Sequence, residues 1–150
     1  MLKYILLVLL LIVAGFMAYV RLAPSDPVAW NTDPLAAPLP TTNGWLIRPE
    51  GGNAASPVLA LDATATLTAL DAIAMATPRT IRLAGSVADG RITYVTRSRL
   101  MGYPDYTTVT TVPSGAGTAL VIHARQRFGQ GDQGVNRARV ESWLAQMPPA

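Results

Sequence analysis

The chain has 150 residues, no cysteine, one histidine and a net charge of +3. Those counts exclude a disulfide framework, a zinc–thiolate or iron–sulfur centre and a thiol nucleophile. They leave room for one domain with its own core, not two.

The chain opens on Met1-Leu2-Lys3 and then runs from Tyr4 to Val20 without a charge, ending at Arg21. As a helix those 17 residues span roughly 25 Å, close to what a bilayer crossing needs. The exit, Phe16 to Pro24, offers no small-x-small pair free of bulky or charged residues. An uncleaved anchor over residues 1–21 is therefore expected, with a cleaved signal sequence as the alternative. Without cysteine there is no lipoprotein anchor. Lys3 and the amino terminus precede the span and Arg21 follows it, so the charge bias is nearly even. A short leading tail ordinarily stays inside. The expectation is a single-pass protein of the bacterial inner membrane, with its C-terminal domain in the periplasm.

Residues 22–57 hold seven prolines and predict an extended tether without regular structure. Trp30 and Trp45 interrupt it and are expected to dock on the domain or sit at the lipid interface. The domain proper is expected over residues 58–150. Residues 62–77 predict a helix: Asp62 is placed to cap it, Ala63, Leu67, Leu70, Ile73 and Ala74 form one stripe, and Pro78 stops it. Strands are expected around 80–87, 91–99, 106–112 and 118–127, with a turn at 101–105 and a hairpin at Pro113-Ser114-Gly115. A closing helix from about Gln133 to Met147 carries Val140, Trp143, Leu144 and Met147. The order α-β-β-β-β-α with short turns predicts an α+β domain, an antiparallel sheet with two helices on one face.

Charge is unevenly distributed. Lys3 is the one lysine, and residues 91–150 hold seven arginines against three acids. That local excess is too small to argue for nucleic acid, and none is expected as a partner. Strand alternation puts Val95, Arg97 and Arg99 on one face, and Val121, His123, Arg125 and Arg127 on one face of the last strand. If those faces coincide, four arginines gather on one side of the sheet, within reach of Asp105 and Asp132. This is either an ion-paired solvated face or a basic groove for an anionic headgroup, carboxylate or partner loop.

Residues 129–134 read Gly-Gln-Gly-Asp-Gln-Gly, the spacing of a dinucleotide-binding loop. The context does not fit. That loop needs a parallel strand after its helix and an acid about twenty positions on, and Asp132 would repel a pyrophosphate. The better reading is a tight turn in which Asp132 caps the last helix. His123 is expected to be structural. No serine sits in a nucleophile elbow and no carboxylates share an element at ligand spacing, so no catalytic residue, metal or cofactor is expected.

Two segments resemble a known family. Arg97 to Asp105 resembles the R-S-x-L-x-x-x-x-D segment of the DUF1499 family. Arg127 to Arg139 resembles its ending, S-R-x-G-x-x-D-x-G-x-N-x-x-R, with Arg127, Gly129, Asp132, Gly134, Asn136 and Arg139 in place. Gln126 stands where the family has serine, and Asn43-Gly44-Trp45 where it often has Pro-Asn-Cys-Val. The resemblance implies a bacterial membrane-associated or exported protein, with plastid relatives, and no particular mechanism. Within it Arg97, Asp105, Arg127, Asp132, Asn136 and Arg139 read as one polar cluster joining the last helix to the sheet. Asn136 is expected to bond a neighbouring strand or loop, and Arg139 to stack on Trp143 or reach Asp105.

The expected function is a non-enzymatic membrane-anchored protein binding a membrane-protein partner or an anionic lipid or ligand, such as an accessory subunit of an envelope or bioenergetic complex. The alternative is a small envelope enzyme or carrier using the arginine-rich site. The residues expected to make those contacts are Arg97, Arg99, Asp105, Arg125, Arg127, Asp132, Asn136 and Arg139.

Overall fold

The computed structural model describes residues 1–148, so the last two residues of the expected 58–150 domain lie outside it. It opens on helix α1 (Leu2–Leu22), 21 residues with a mean hydropathy of 2.6 over its most apolar window. Among the described residues this is the one helix long and apolar enough to cross a membrane. Helix α2 (Pro27–Trp30) is a single turn. Pro27 at its start has no N–H to lose there, and Asp26 Oδ1 accepts from Val28 N at 2.9 Å.

An α+β domain follows. Strands β1 (Gly44–Ile47) and β2 (Val58–Leu59) precede helix α3 (Ala63–Ala76). Strands β3 (Thr80–Ser86), β4 (Arg91–Arg97), β5 (Pro104–Ser114) and β6 (Gly117–Gln126) lead to helix α4 (Val135–Leu144). The sheet is antiparallel throughout, in the order β1-β6-β5-β4-β3, and β2 continues the edge of β6 beyond β1. Six strands stand where four are expected. The two extra ones are too short to show a period, and β1 is covered on both faces, so it does not alternate. Pro104 and Asp105, expected in a turn, open β5; a proline is tolerated as the first residue of a strand.

Both α3 and α4 pack on one face of the sheet. Asp62 caps α3 by accepting from Ala65 N at 2.7 Å, and Leu67, Leu70 and Ala74 of its stripe are buried. They meet Ile92, Tyr94, Val109, Leu120 and Ile122 from the strands, with Val140 and Trp143 from α4. Each of these large side chains contributes about 1.5–3 kcal/mol by leaving water. Trp143 is held by direction as well as by area. Its Nε1 donates to Thr77 Oγ1 at 2.8 Å, and its ring meets Tyr94 edge to face at 5.7 Å.

The opposite face is covered by residues 23–40, from the segment expected as a tether. Trp30 stacks on Tyr106 with ring centroids 3.7 Å apart and planes at 9°. Thr93 Oγ1 donates to Asn31 Oδ1 at 2.9 Å, Thr108 Oγ1 donates to the Trp30 carbonyl at 3.1 Å, and Ser25 Oγ lies 2.7 Å from the Tyr106 hydroxyl. Of the two places expected for Trp30, it occupies the one on the domain.

Candidate functional site

A proline-rich strap has a chemical need that determines where the arginines go. Outside a ladder its carbonyls lack N–H partners, and a buried unpaired carbonyl is costly. Arginine, with five donors in a planar fork, meets that need. Arg125 donates to the Trp30 carbonyl and lies over the Trp30 ring at 5.2 Å. Arg48 donates through Nη1 to the carbonyls of Leu35 and Ala37, at 2.8 and 3.0 Å, and through Nη2 to that of Gly51 at 2.8 Å. Arg127 donates to the Pro24 carbonyl at 2.6 Å. Arg125 and Arg127 thus share the outer face, as alternation predicts, and they latch the strap down. Burial pulls the Arg125 guanidinium down to about 10.

His123 lies under this strap, 7% exposed. Burial pushes its imidazole down to about 4, helped by the Arg125 and Arg48 charges. A histidine whose folded pKa is depressed contributes stability above pH 6.5 and loses it as pH falls toward the folded value. The loss is about 3 kcal/mol between pH 6.5 and pH 4. Chemical denaturation across that range should show a fall in wild-type stability whose His123 component is missing in His123→Gln. Superimposable pH profiles of the two proteins would exclude this role.

The expected polar cluster is divided by the sheet. Asp105 points to the helix face, where its Oδ2 accepts from Arg139 Nη2 at 2.9 Å. Arg139 Nη1 donates to Asn136 Oδ1 at 2.7 Å. Asn136 therefore bonds within its own helix and aims Arg139, where a bond to a neighbouring strand or loop was expected; of the two destinations open to Arg139, Asp105 is the one it takes. Asp132 accepts from Gly134 N at 3.0 Å and from Asn136 N at 3.1 Å, capping α4. Asp105, Asp132, Asn136 and Arg139 make one group on the helix face, while Arg97 and Arg127 belong to the other face. Successive strand residues point to opposite sides, which is why one cluster becomes two. Burial outweighs Arg139 and holds the Asp105 carboxyl above the usual range, with the Asp132 charge adding to the rise.

Arg97 and Arg99 lie elsewhere, at the end of the sheet that meets α1. The turn 98–103 is closed by Gly102 N on the Ser98 carbonyl at 3.2 Å and Tyr103 N on Ser98 Oγ at 3.0 Å. Arg97 Nη1 donates to the Gly102 carbonyl at 2.9 Å. α1 is clasped here. Val20 is fully buried, Phe16 meets the Tyr103 ring at 6.3 Å, Tyr19 meets Phe128 at 6.0 Å, and Arg21 Nη2 donates to the Leu100 carbonyl at 2.7 Å. Gly102, at φ +76°, suits glycine, and a Cβ there would lie 2.8 Å from Arg21 Cγ and displace that side chain.

Between the end of α1 and the outer face of β3 and β4 is a cavity of ≈ 470 Å³ lined by Arg21, Arg79, Arg97 and Arg99, with Ser98 at its edge and Ile81 and Val95 in its wall. No carboxylate lines it. Among the described residues three ion pairs occur, Arg82–Asp71, Arg137–Glu141 and Arg139–Asp105, and none uses these four arginines. Two of the four escape sequence reasoning. Arg79 falls between Pro78 and the next strand, where no alternation rule reaches it. Arg21 reads only as the charge that ends the apolar run. Antiparallel pairing of Ile81 with Val95 puts Arg79 beside Arg97, whose carbonyl accepts from Arg79 Nε at 3.0 Å.

A protein-family model described as "Protein of unknown function (DUF1499)" matches residues 23–147, which takes in the strap as well as the sheet and helices. Among curated proteins, none matches the chain.

Proposed function

The chain belongs to the DUF1499 family, and from that premise we propose that it is a single-pass membrane protein whose domain is seated directly on the bilayer, where it binds a component of the membrane without catalysing a reaction. The observation that carries this reading is the clasp on α1. At 1.5 Å per residue α1 is about 31 Å long, the thickness of a hydrocarbon core. Its last turns touch the domain through Phe16, Tyr19, the buried Val20 and Arg21. Residues 2–15 alone reach only about 21 Å, roughly 9 Å short of the hydrocarbon core, so a spanning α1 draws the 98–103 turn down against the bilayer. The residues at that end suit such a place. Tyr19, Tyr103 and Phe128 form an aromatic group, and Leu100 is 75% exposed.

The domain is then held flat against its membrane, and the natural role is an accessory subunit of a complex in the same bilayer. The orientation that goes with this reading has Lys3 in the cytoplasm and the domain in the periplasm of a bacterial inner membrane. Residues 23–40 cover His123 and Arg125, which speaks against an enzymatic role for those two residues.

The chain lacks cysteine, so a single introduced thiol can be labelled uniquely. In full-length protein reconstituted into vesicles, a fluorophore at Leu100→Cys should be quenched by lipids carrying a shallow nitroxide. One at Ala116→Cys, in the turn at the other end of the sheet, should be quenched only by aqueous reagents. Equal aqueous exposure of the two sites would sink the seated-domain reading.

A further inference from the structure

We propose that the cavity formed by Arg21, Arg79, Arg97 and Arg99 binds the phosphate of an anionic phospholipid. This rests on the seated-domain reading, since it takes the cavity to open at the membrane surface.

The first argument is charge. Four guanidinium groups line one cavity of ≈ 470 Å³ with no carboxylate in its wall. Like charges this close repel one another unless an anion joins them. Elsewhere Arg82, Arg137 and Arg139 are matched to acids and Arg48, Arg125 and Arg127 are spent on the carbonyls of the strap or its neighbours, whereas these four share one cavity with no acid in its wall.

The second argument is preorganisation. Arg21 donates to the Leu100 carbonyl, Arg97 to that of Gly102 and Arg79 to that of Arg97. Neutral acceptors fix where these forks sit while leaving their charge uncompensated and most of their donors free. Arg79 is also held at φ +61°, a backbone conformation that a side chain of its size rarely adopts. Strain of this kind persists where surrounding structure enforces it, and it is concentrated at binding sites. Arg99 makes no ion pair or side-chain hydrogen bond among the described residues and is exposed, so it is free to close on a ligand.

The third argument separates a lipid from a soluble anion. Ile81 in the cavity wall is 59% exposed, and Leu100 and Leu22 nearby are 75% and 80% exposed. Apolar side chains beside a basic cavity suit a ligand with a phosphate head and acyl chains. Arg21 belongs to α1 itself, in its last turn, so the cavity has a fixed position relative to the span. Arginine forks bond phosphate oxygens bidentately, which favours a phosphodiester over a diffuse counterion layer.

The test is native mass spectrometry of the detergent-solubilised full-length protein incubated with phosphatidylglycerol, phosphatidylcholine or glycerol phosphate. Phosphatidylglycerol should remain bound while the other two are lost. Arg99→Gln, which removes no internal contact and so leaves the fold intact, should lower retention about tenfold, as expected for one hydrogen bond to a charged group. Arg79→Gln should lower it similarly. Arg137→Gln, an equal change of net charge on α4, should leave it unchanged. Equal retention of phosphatidylcholine, tight binding of glycerol phosphate, or an Arg99→Gln protein that retains lipid like the wild type would each overturn the assignment. If the Leu100 label is immersed and no anionic selectivity is found, the lipid site fails alone. If the label is in water, the seated domain fails first.

Discussion

Replacing Arg139 by Met should cost about 3–5 kcal/mol, whereas replacing its partner Asp105 by Asn should cost less than about 1 kcal/mol. The asymmetry follows from burial: the two side chains are only 11% and 14% exposed. Without Arg139 a charged carboxylate is left in the interior beside Asp132. Without the Asp105 charge, the carboxylate's desolvation cost is gone, and the guanidinium that remains still donates to the new amide oxygen and to Asn136 Oδ1. The raised Asp105 pKa has the same meaning. A carboxyl whose folded value lies above its unfolded value of 3.8 contributes stability at low pH and loses it as pH rises through the folded value. The Arg139→Met defect should therefore shrink on acidification, as Asp105 takes up a proton. Urea denaturation of both variants, followed by far-ultraviolet circular dichroism at neutral and acid pH, measures this. Equal losses from the two substitutions would refute the account.

Trp143→Ala should be at least as damaging, about 3–5 kcal/mol from the cavity it leaves. Trp143 is 1% exposed, and its removal also strips Thr77 of its indole donor and Tyr94 of its edge-to-face partner. Against a total of about 5–15 kcal/mol for a domain of this size, that loss leaves little margin. The variant should show a sharply lowered denaturation midpoint, or no cooperative transition at all. Trp143→Phe, which keeps most of the volume and the ring contact, should recover more than half of the loss. A wild-type midpoint for Trp143→Ala would mean that α4 does not hold the sheet.

Much of the domain is legible in the residues because its signals are periodic. The α3 stripe, the Pro78 stop, the hairpin at residues 113–115 and the alternation of β4 and β6 all lead to elements at the expected places. The strap is not periodic. Seven prolines and two tryptophans describe an extended segment, but not that it lies across a sheet. That depends on Tyr106, Thr93 and Arg125 lining up on neighbouring strands, a fact of register. The candidate site was half legible for the same reason. Arg97 stands out by alternation; Arg99 is expected on the same strand face, but β4 ends at Arg97 and Arg99 lies in the turn that follows. Arg21 and Arg79 join them only through the way α1 and the start of β3 come together. The six arginines Arg21, Arg48, Arg79, Arg97, Arg125 and Arg127 donate to main-chain oxygens, and no rule of charge pairing in a sequence points to a carbonyl.

Strand β1 lies before β6 in the chain but pairs with it, Ile47 opposite Ile122 and Gly44 opposite Arg125. Synthesis runs from the amino terminus, so a ribosome making about 5–20 residues per second reaches β6 roughly 4–16 s after β1. On the proposed topology, α1 can already be in the bilayer throughout that interval while β1 and the strap remain unpaired beside it. The first part of the domain to be made is thus among the last to find its place. Contacts of this separation slow folding, and the interval leaves a strand edge open to neighbours. On the proposed topology, tethering at the membrane limits where such a chain can wander, so α1 would guard assembly as well as attach the domain.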